Sequence, residues 1–153
     1  YAATKKVGEL MCHTYHALYN MDIACLRFFT VYGPRQRPEM AIHLFTDSIY
    51  NNKKIKLFNN GKCKRDFTYI DDIIDGIIEI INCENLGYDI VNLGDSFTIN
   101  TIDLVAKIEK MLNKEGDKEL LPPQAGDVEI TYADISHAKK RYNYDFIVLI
   151  TAS

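Results

Sequence analysis

None of the four cysteines forms a C-x-x-C pair, and the four histidines show no ligand spacing with them. The usual zinc frameworks are therefore excluded and no structural metal is expected. Cys12, Cys25, Cys63 and Cys83 read as reduced, buried thiols of a cytoplasmic protein. Neither sign of charge dominates: 18 Lys and Arg against 21 Asp and Glu leave a net charge of −3. That gives no reason to expect a nucleic-acid partner or an anionic membrane surface. The apolar runs are far short of a membrane span, and the first residues do not read as a secretory leader. No G-x-x-G-x-x-G stretch occurs anywhere, so the loop that cradles a dinucleotide's phosphates is missing. Internal repeats and low-complexity tracts are absent as well. What is present is 47% hydrophobic and 25% charged residues over 153 positions, the balance of one folded domain.

The stretch Arg27–Met40, RFFTVYGPRQRPEM, organises the chain. It begins as the end of an apolar run, Ile23–Phe29, of the kind that makes a buried strand. It breaks at Tyr32-Gly33-Pro34, a turn signal. Arg35 and Arg37 follow, and Pro38 stiffens what comes next. A buried strand thus delivers its carboxyl end into a cationic loop, the place where open α/β sheets bind ligands. A guanidinium fork matches a carboxylate or a phosphate bidentately. Two solvated arginines on a surface loop fit the same residues.

Tyr1–Tyr19 reads as a helix. Val7, Leu10, Met11, Tyr15 and Leu18 make an apolar stripe at helical spacing, while Lys6, Glu9, His13 and His16 read as the solvated side. Tyr1 and Lys5, four apart, share a face that Gly8 and Cys12 extend with small side chains. A phenol titrates near ~10, and a nearby ammonium lowers that value, so such a pair can move a proton to or from a sugar hydroxyl. The spacing alone is weak evidence, since Tyr50 and Lys54 repeat it.

The remaining elements alternate. Met40–Tyr50 is predicted helical, with Ile42, Phe45 and Ile49 inward. Lys54–Phe58 is a half-exposed strand, and Asn59-Asn60-Gly61 a turn. A short strand, Phe67–Ile70, leads to a helix capped by Asp71 or Asp72, with Ile73, Ile74, Ile77, Ile78 and Ile81 as its apolar face. Tyr88–Leu93 is another buried strand. Asn100 or Thr101 caps a helix through Leu112, with Ile102, Val105 and Ile108 inward. Val128–Tyr132 is extended, and Asp134 caps a last short helix. Strands alternating with helices predict an α/β fold.

Five motifs now stand in order: YAATK at Tyr1–Lys5, RFFTVYGP at Arg27–Pro34, KRDFTYIDD at Lys64–Asp72, VNLG at Val91–Gly94 and QAGDVEITYADIS at Gln124–Ser136. Together the chain resembles the extended short-chain dehydrogenases of the NAD-dependent epimerase/dehydratase family, closest to those that epimerise UDP-glucuronate at C4. The likeness runs from Tyr1 to about Phe146. It implies the carboxyl-terminal part of a Rossmann-type nucleotide-sugar epimerase with its smaller substrate-binding domain, the glycine-rich half missing. On that basis residues 1–29 and 67–94 belong to the dinucleotide-binding side, residues 30–66 and 95–146 to the substrate-binding part, and 147–153 form an atypical tail. Relatives that decarboxylate UDP-glucuronate or dehydrate dTDP-glucose share the scaffold. A non-catalytic fragment that binds a nucleotide sugar or dimerises is the reading from another class, and the isolated chain is expected to be inactive.

The resemblance also implies roles. Tyr1 would be the general base and acid. Lys5 would lower its pKa and hold the nicotinamide ribose of NAD. Phe28 and Phe29 match positions lining the nicotinamide end, although both equally fit a strand core. Thr30 and Arg37 match residues that hold the sugar carboxylate, and Arg65 the arginine on the diphosphate. Met40, Ala41, Lys56 and Phe58 fall where the uridine packs, and Asp127 in the segment closing over the diphosphate. Asp66 and Asp71 are expected to be structural. The implied partners are a UDP-sugar and a second copy of the chain, docked through the Tyr1–Tyr19 helix.

Overall fold

The computed structural model describes residues 1–145, so the tail at 147–153 lies outside the described residues. The chain divides into two compact units. One comprises Tyr1–Val31, Thr68–Asp95 and the segment from Ala133 onward; the other comprises Tyr32–Phe67 and Ser96–Tyr132.

The first unit is built on a parallel pair, Ile23–Phe28 (β1) and Tyr88–Leu93 (β5), in register from Ile23 opposite Tyr88 to Phe28 opposite Leu93. Side chains alternate across such a pair, so each face meets a different neighbour. One face receives the helix Ala2–Tyr19 (α1). The other packs with Ile70–Ile81 (α3) and Ser136–Tyr142 (α5) in a core made by Ile73, Ile80, Val91, Leu93, Ala138 and Tyr142. Ala133 and Ile135 are buried in the same cluster. The packing therefore departs from the expected grouping of 95–146, because from Ala133 the chain leaves its neighbours and closes this core.

The second unit holds Ala41–Tyr50 (α2), Ile55–Leu57 (β3), Thr101–Leu112 (α4) and Lys118–Leu120 (β7). β3 and β7 pair in parallel, Ile55 with Lys118 and Leu57 with Leu120. The alternation read in Lys54–Phe58 is real: Ile55 and Leu57 are buried and Lys56 is exposed. The turn after β3 needs Asn59 and Asn60 at φ 49° and 52°, left-handed values that asparagine tolerates. Within this unit the first residues of Lys64–Tyr69 (β4) pair antiparallel with Thr98–Asn100 (β6). Thr30–Tyr32 (β2) and β4 each span a point where the chain passes from one unit to the other.

Several sequence expectations turn over. β1 is half-buried rather than buried, and Phe28 at its end is 48% exposed. α1 fully buries no residue. The side of α1 read as solvated is the one that packs: Glu9 bonds Arg27, the His13 ring stands edge-on to Tyr88 at 5.0 Å, and His16 Nδ1 bonds the Met21 carbonyl. The apolar stripe faces outward. α3 is rotated too, with Ile73 and Ile80 inward and Ile74, Ile78 and Ile81 exposed. Asp71 and Asp72 do not cap it; they sit inside its first turn, where they complement the helix dipole. Asn100 takes the N-cap position of α4, but its side chain bonds Asp103 rather than the backbone. Asp134 accepts the Ser136 N–H at 3.0 Å, but Ile135 and not Asp134 takes the N-cap position of α5.

α3 lies close because Gly76 lets it. A Cβ there would come within 2.7 Å of the Tyr144 ring and 3.1 Å of Leu93. Tyr144 cannot yield, being buried with its hydroxyl donating to the Gly94 carbonyl at 3.0 Å. Gly76→Ala should therefore destabilise the chain by about 1–3 kcal/mol through overpacking, although alanine is the better helix former. Urea denaturation measures it. Gly8→Ala in α1, where an added methyl meets nothing within 4 Å, should stabilise instead.

Candidate functional site

α1 returns over β1, which sets its first residues beside the strand's carboxyl end. A cleft of about 800 Å³ opens there, lined by Tyr1, Lys5, Gly8, Glu9, Phe28 and Phe29 among others. Tyr1 is 92% exposed. It precedes the helix, so its ring stands clear, and its carbonyl accepts the Lys5 N–H and the Thr4 hydroxyl. Four residues on, Lys5 holds its ammonium over the Tyr1 ring, 5.2 Å from the centroid. Phe28 supplies an exposed apolar face and Phe29 a half-buried one. Phe29 also packs against the core of this unit, so its strand-core role is present too.

Glu9 and Arg27 also line this cleft, and neither is among the site residues expected from the sequence. The Arg27 guanidinium grips Glu9 with both arms, at 2.6 and 2.8 Å, and Lys6 adds a third contact at 2.7 Å. The Tyr88 hydroxyl donates to the Glu9 carbonyl at 2.9 Å. Arg27 and Lys6 together hold the Glu9 carboxyl down at about 2. Burial pushes the nearby Cys25 thiol up. The signal for Glu9 was available only as one position of a polar helix face, without a partner named.

A second polar cluster locks α5 onto β5. Asp89 accepts from Tyr142 at 2.5 Å, His137 at 2.8 Å and Arg141 at 3.1 Å. Burial alone would raise the Asp89 carboxyl; the Tyr142 hydroxyl, His137 and the Ile90 N–H bring it below its usual value. Burial and the Asp89 charge push the Tyr142 phenol well up. His137, Arg141 and Tyr142 lie 48, 52 and 53 positions from Asp89, so spacing could not reveal them.

In the second unit Arg65 is fixed from three sides. It donates to the Lys64 carbonyl at 2.9 Å, the Glu129 carbonyl at 3.3 Å and the Asp127 carboxylate at 2.6 Å. Cys63 also reaches Asp127, at 3.7 Å. Two expected site residues, Arg65 and Asp127, thus form a pair across 62 positions. Arg37 makes a looser group: an ion pair with Glu39 at 3.3 Å and a contact to the Met40 sulfur at 3.5 Å. Both partners of that ion pair are more than half exposed, so it contributes little. Gly33 at φ 144° and Arg35 at φ 66° shape the loop before it. Ala41 opens α2, and Lys56 and Phe58 flank buried Leu57. Thr30 belongs to the first unit and Arg37 to the second. Among the described residues no group of three or more His, Cys, Asp or Glu could hold a metal ion, and no helix is long and apolar enough to cross a membrane.

The model of the NAD dependent epimerase/dehydratase family matches residues 1–94. A UDP-glucuronate 4-epimerase of Thermodesulfobacterium geofontis is 47% identical over 146 residues, covering 95% of this chain and 45% of that protein. An uncharacterised protein of Methanocaldococcus jannaschii is 46% identical over 144 residues, covering 94% of this chain and 44% of its own length. Among solved structures, a UDP-glucuronic acid 4-epimerase from Bacillus cereus, in complex with UDP-glucuronic acid and NAD, superposes with a TM-score of 0.90 at 36% identity. That match covers 96% of this chain and 47% of the other. The chain spans about half the length of the relatives it matches.

The Glu9 geometry has a consequence in acid. Its carboxyl lies at about 2 against an ordinary 4.5. A depressed carboxylate contributes stability that is present above the ordinary value and lost as pH falls toward the folded one. Glu9→Gln should thus melt lower than the parent at neutral pH. The gap should shrink as pH drops from 4.5 toward 2. Melting temperature against pH for both proteins checks this, and a gap independent of pH would contradict it.

Proposed function

The chain belongs to the NAD dependent epimerase/dehydratase family, and from that premise we propose that it is part of an NAD-dependent epimerase interconverting UDP-glucuronate and UDP-galacturonate. One observation carries the proposal: Tyr1, Lys5, Phe28 and Phe29, singled out by two separate motifs, line a single cleft at the carboxyl end of β1. Relatives named as UDP-glucuronate 4-epimerases, at 47% and 36% identity, support UDP-glucuronate as the substrate.

The cleft fits the nicotinamide end of a dinucleotide. Phe28 and Phe29 offer it an apolar wall, and the Lys5 ammonium can bond ribose hydroxyls. The sequence has no glycine-rich loop for the diphosphate. NAD, when bound, supplies the hydride acceptor and donor. The Tyr1 phenol oxygen takes the proton of the sugar 4-hydroxyl and later returns it, with the Lys5 ammonium 5.2 Å from the ring centroid beside it. The path goes through a 4-keto sugar, and C4 is inverted when the ring is reduced from its other face. Arg65, held by Asp127 and two carbonyls, is assigned the diphosphate, with Asp127 closing beside it. Met40, Ala41, Lys56 and Phe58 are assigned the uridine. Thr30 and Arg37 are assigned the sugar carboxylate, and Arg37 can exchange its weak pairing with Glu39 for that carboxylate. Tyr1 and Thr30 apart, unit one is accordingly assigned to the dinucleotide and unit two to the substrate.

Arg37 gives the sharpest test of substrate. Losing one charge-assisted hydrogen bond costs roughly 1.5–3 kcal/mol, about tenfold or more in rate. In the full-length protein Arg37→Ala should weaken UDP-glucuronate turnover far more than any UDP-glucose turnover. It should also release some pentose, because a β-keto acid whose carboxylate is not held decarboxylates. Steady-state assays with product analysis decide; equal losses on both sugars would reassign Arg37 to general binding or folding. Tyr1→Phe should abolish the reaction on either sugar.

The partner is proposed to be a second copy of the chain. Val7, Leu10, Met11, Tyr15 and Leu18 are each at least 51% exposed along one side of α1, a contiguous apolar stripe of the kind that marks an interface. Sedimentation should show a defined oligomer, and Leu10→Glu should dissociate it. A clean monomer at working concentration would overturn the assignment.

A further inference from the structure

The side of α1 that packs carries a second pair of interest. α1 and β1 run in opposite senses, so one turn forward on the helix corresponds to a step back along the strand. Glu9 holds Arg27 at 2.6 Å. Cys12, one turn beyond Glu9 on the same side, then falls over Cys25, two residues before Arg27 on the same side of the strand. Tyr88 confirms the alignment, since its hydroxyl donates to the Glu9 carbonyl at 2.9 Å and its ring meets His13 at 5.0 Å, so the helix residues on either side of Cys12 lie against this face of the strand pair. Cys12 and Tyr88 are the side chains that bear on the Cys25 thiol. Both cysteines are half-buried, and Cys25 lines the cleft. The remaining thiols lie elsewhere: Cys63 is buried against Asp127 in the other unit, and Cys83 donates to the Glu84 carbonyl.

We propose that Cys12 and Cys25 are a redox-active dithiol that a peroxide converts to a disulfide, stapling α1 to β1. Burial pushes the Cys25 thiol up and disfavours its thiolate, so the first oxidation is assigned to Cys12. Its sulfur takes one oxygen from the peroxide, the O–O bond breaks, and water leaves. The Cys25 sulfur then attacks the sulfenic sulfur; the S–S bond forms as the S–O bond breaks, and a second water carries off the Cys25 proton. Two electrons pass from the two sulfurs to the peroxide. The bridge ties the helix bearing Tyr1 and Lys5 to the strand ending at Phe28, fixing one wall of the cleft against the other.

Treating the full chain with hydrogen peroxide, then mapping it by mass spectrometry without reduction, tests this. The expected result is an intact mass lighter by two hydrogens and a single cross-linked peptide joining Cys12 to Cys25. It should come with a rise in melting temperature that a thiol reductant reverses. Cys12→Ser and Cys25→Ser should each remove both effects. Should either variant fail to fold, Cys63→Ser/Cys83→Ser retains the pair alone and must still form the bridge. Oxygen added to Cys12 or Cys25 without a cross-link, or a bridge to Cys63, to Cys83 or to a second chain, would overturn the proposal.

Discussion

The parallel ladder between β1 and β5 is the constraint on which the first unit depends. Parallel strands cannot be joined by a tight turn. Here the connection runs through the whole first stretch of the second unit and then α3 before β5 is reached. Once Ile23 is set opposite Tyr88, both faces of the pair are defined along their length. Cys25, Arg27 and Tyr88 meet α1 on one face. Asp89, Val91 and Leu93 meet α3 and α5 on the other. A shift of β5 by one residue would exchange its two sets and place Asp89 under α1 and Tyr88 toward the apolar core.

Each face is closed by a carboxylate with several partners. Glu9 collects Arg27 and Lys6 through its side chain and Tyr88 through its carbonyl; Asp89 collects His137, Arg141 and Tyr142. A single surface ion pair contributes little, but a carboxylate with three donors is held in one place. Glu9 makes α1 sit with its polar side down, which leaves the apolar stripe outside and sets Tyr1 at the strand's carboxyl end. The same polarity that looks wrong for a single chain is what makes α1 both a wall of the cleft and the proposed contact surface.

Much was legible in the sequence where the signal is local. The extent of α1, its left-handed stop at Asn20, the alternation in β3 and the inward Phe45 and Ile49 of α2 follow from spacing or from single residues. Tyr1 and Lys5 share a face because they are four apart, and Phe28 and Phe29 reach the same cleft because they end the strand that follows. What spacing could not supply was orientation. Ile74, Ile78 and Ile81 are as apolar as Ile73 and Ile80, yet Gly76 decides which side of α3 faces in, since only there can Tyr144 approach. The Lys118–Leu120 strand has no apolar pattern and exists because Ile55–Leu57 offers it an edge.

By itself, then, the sequence determined the elements, their order, the α/β class, the family motifs and the side chains able to do chemistry, because these rest on interactions within a few residues. Tertiary structure alone decided which side of α1 packs, that Arg65 meets Asp127, that Asp89 gathers α5 and that Ala133 returns to the first core. Those outcomes depend on pairs far apart in the chain. Their energy comes from carboxylates with several donors and from close-packed apolar groups, and neither exists until the strands have chosen their register.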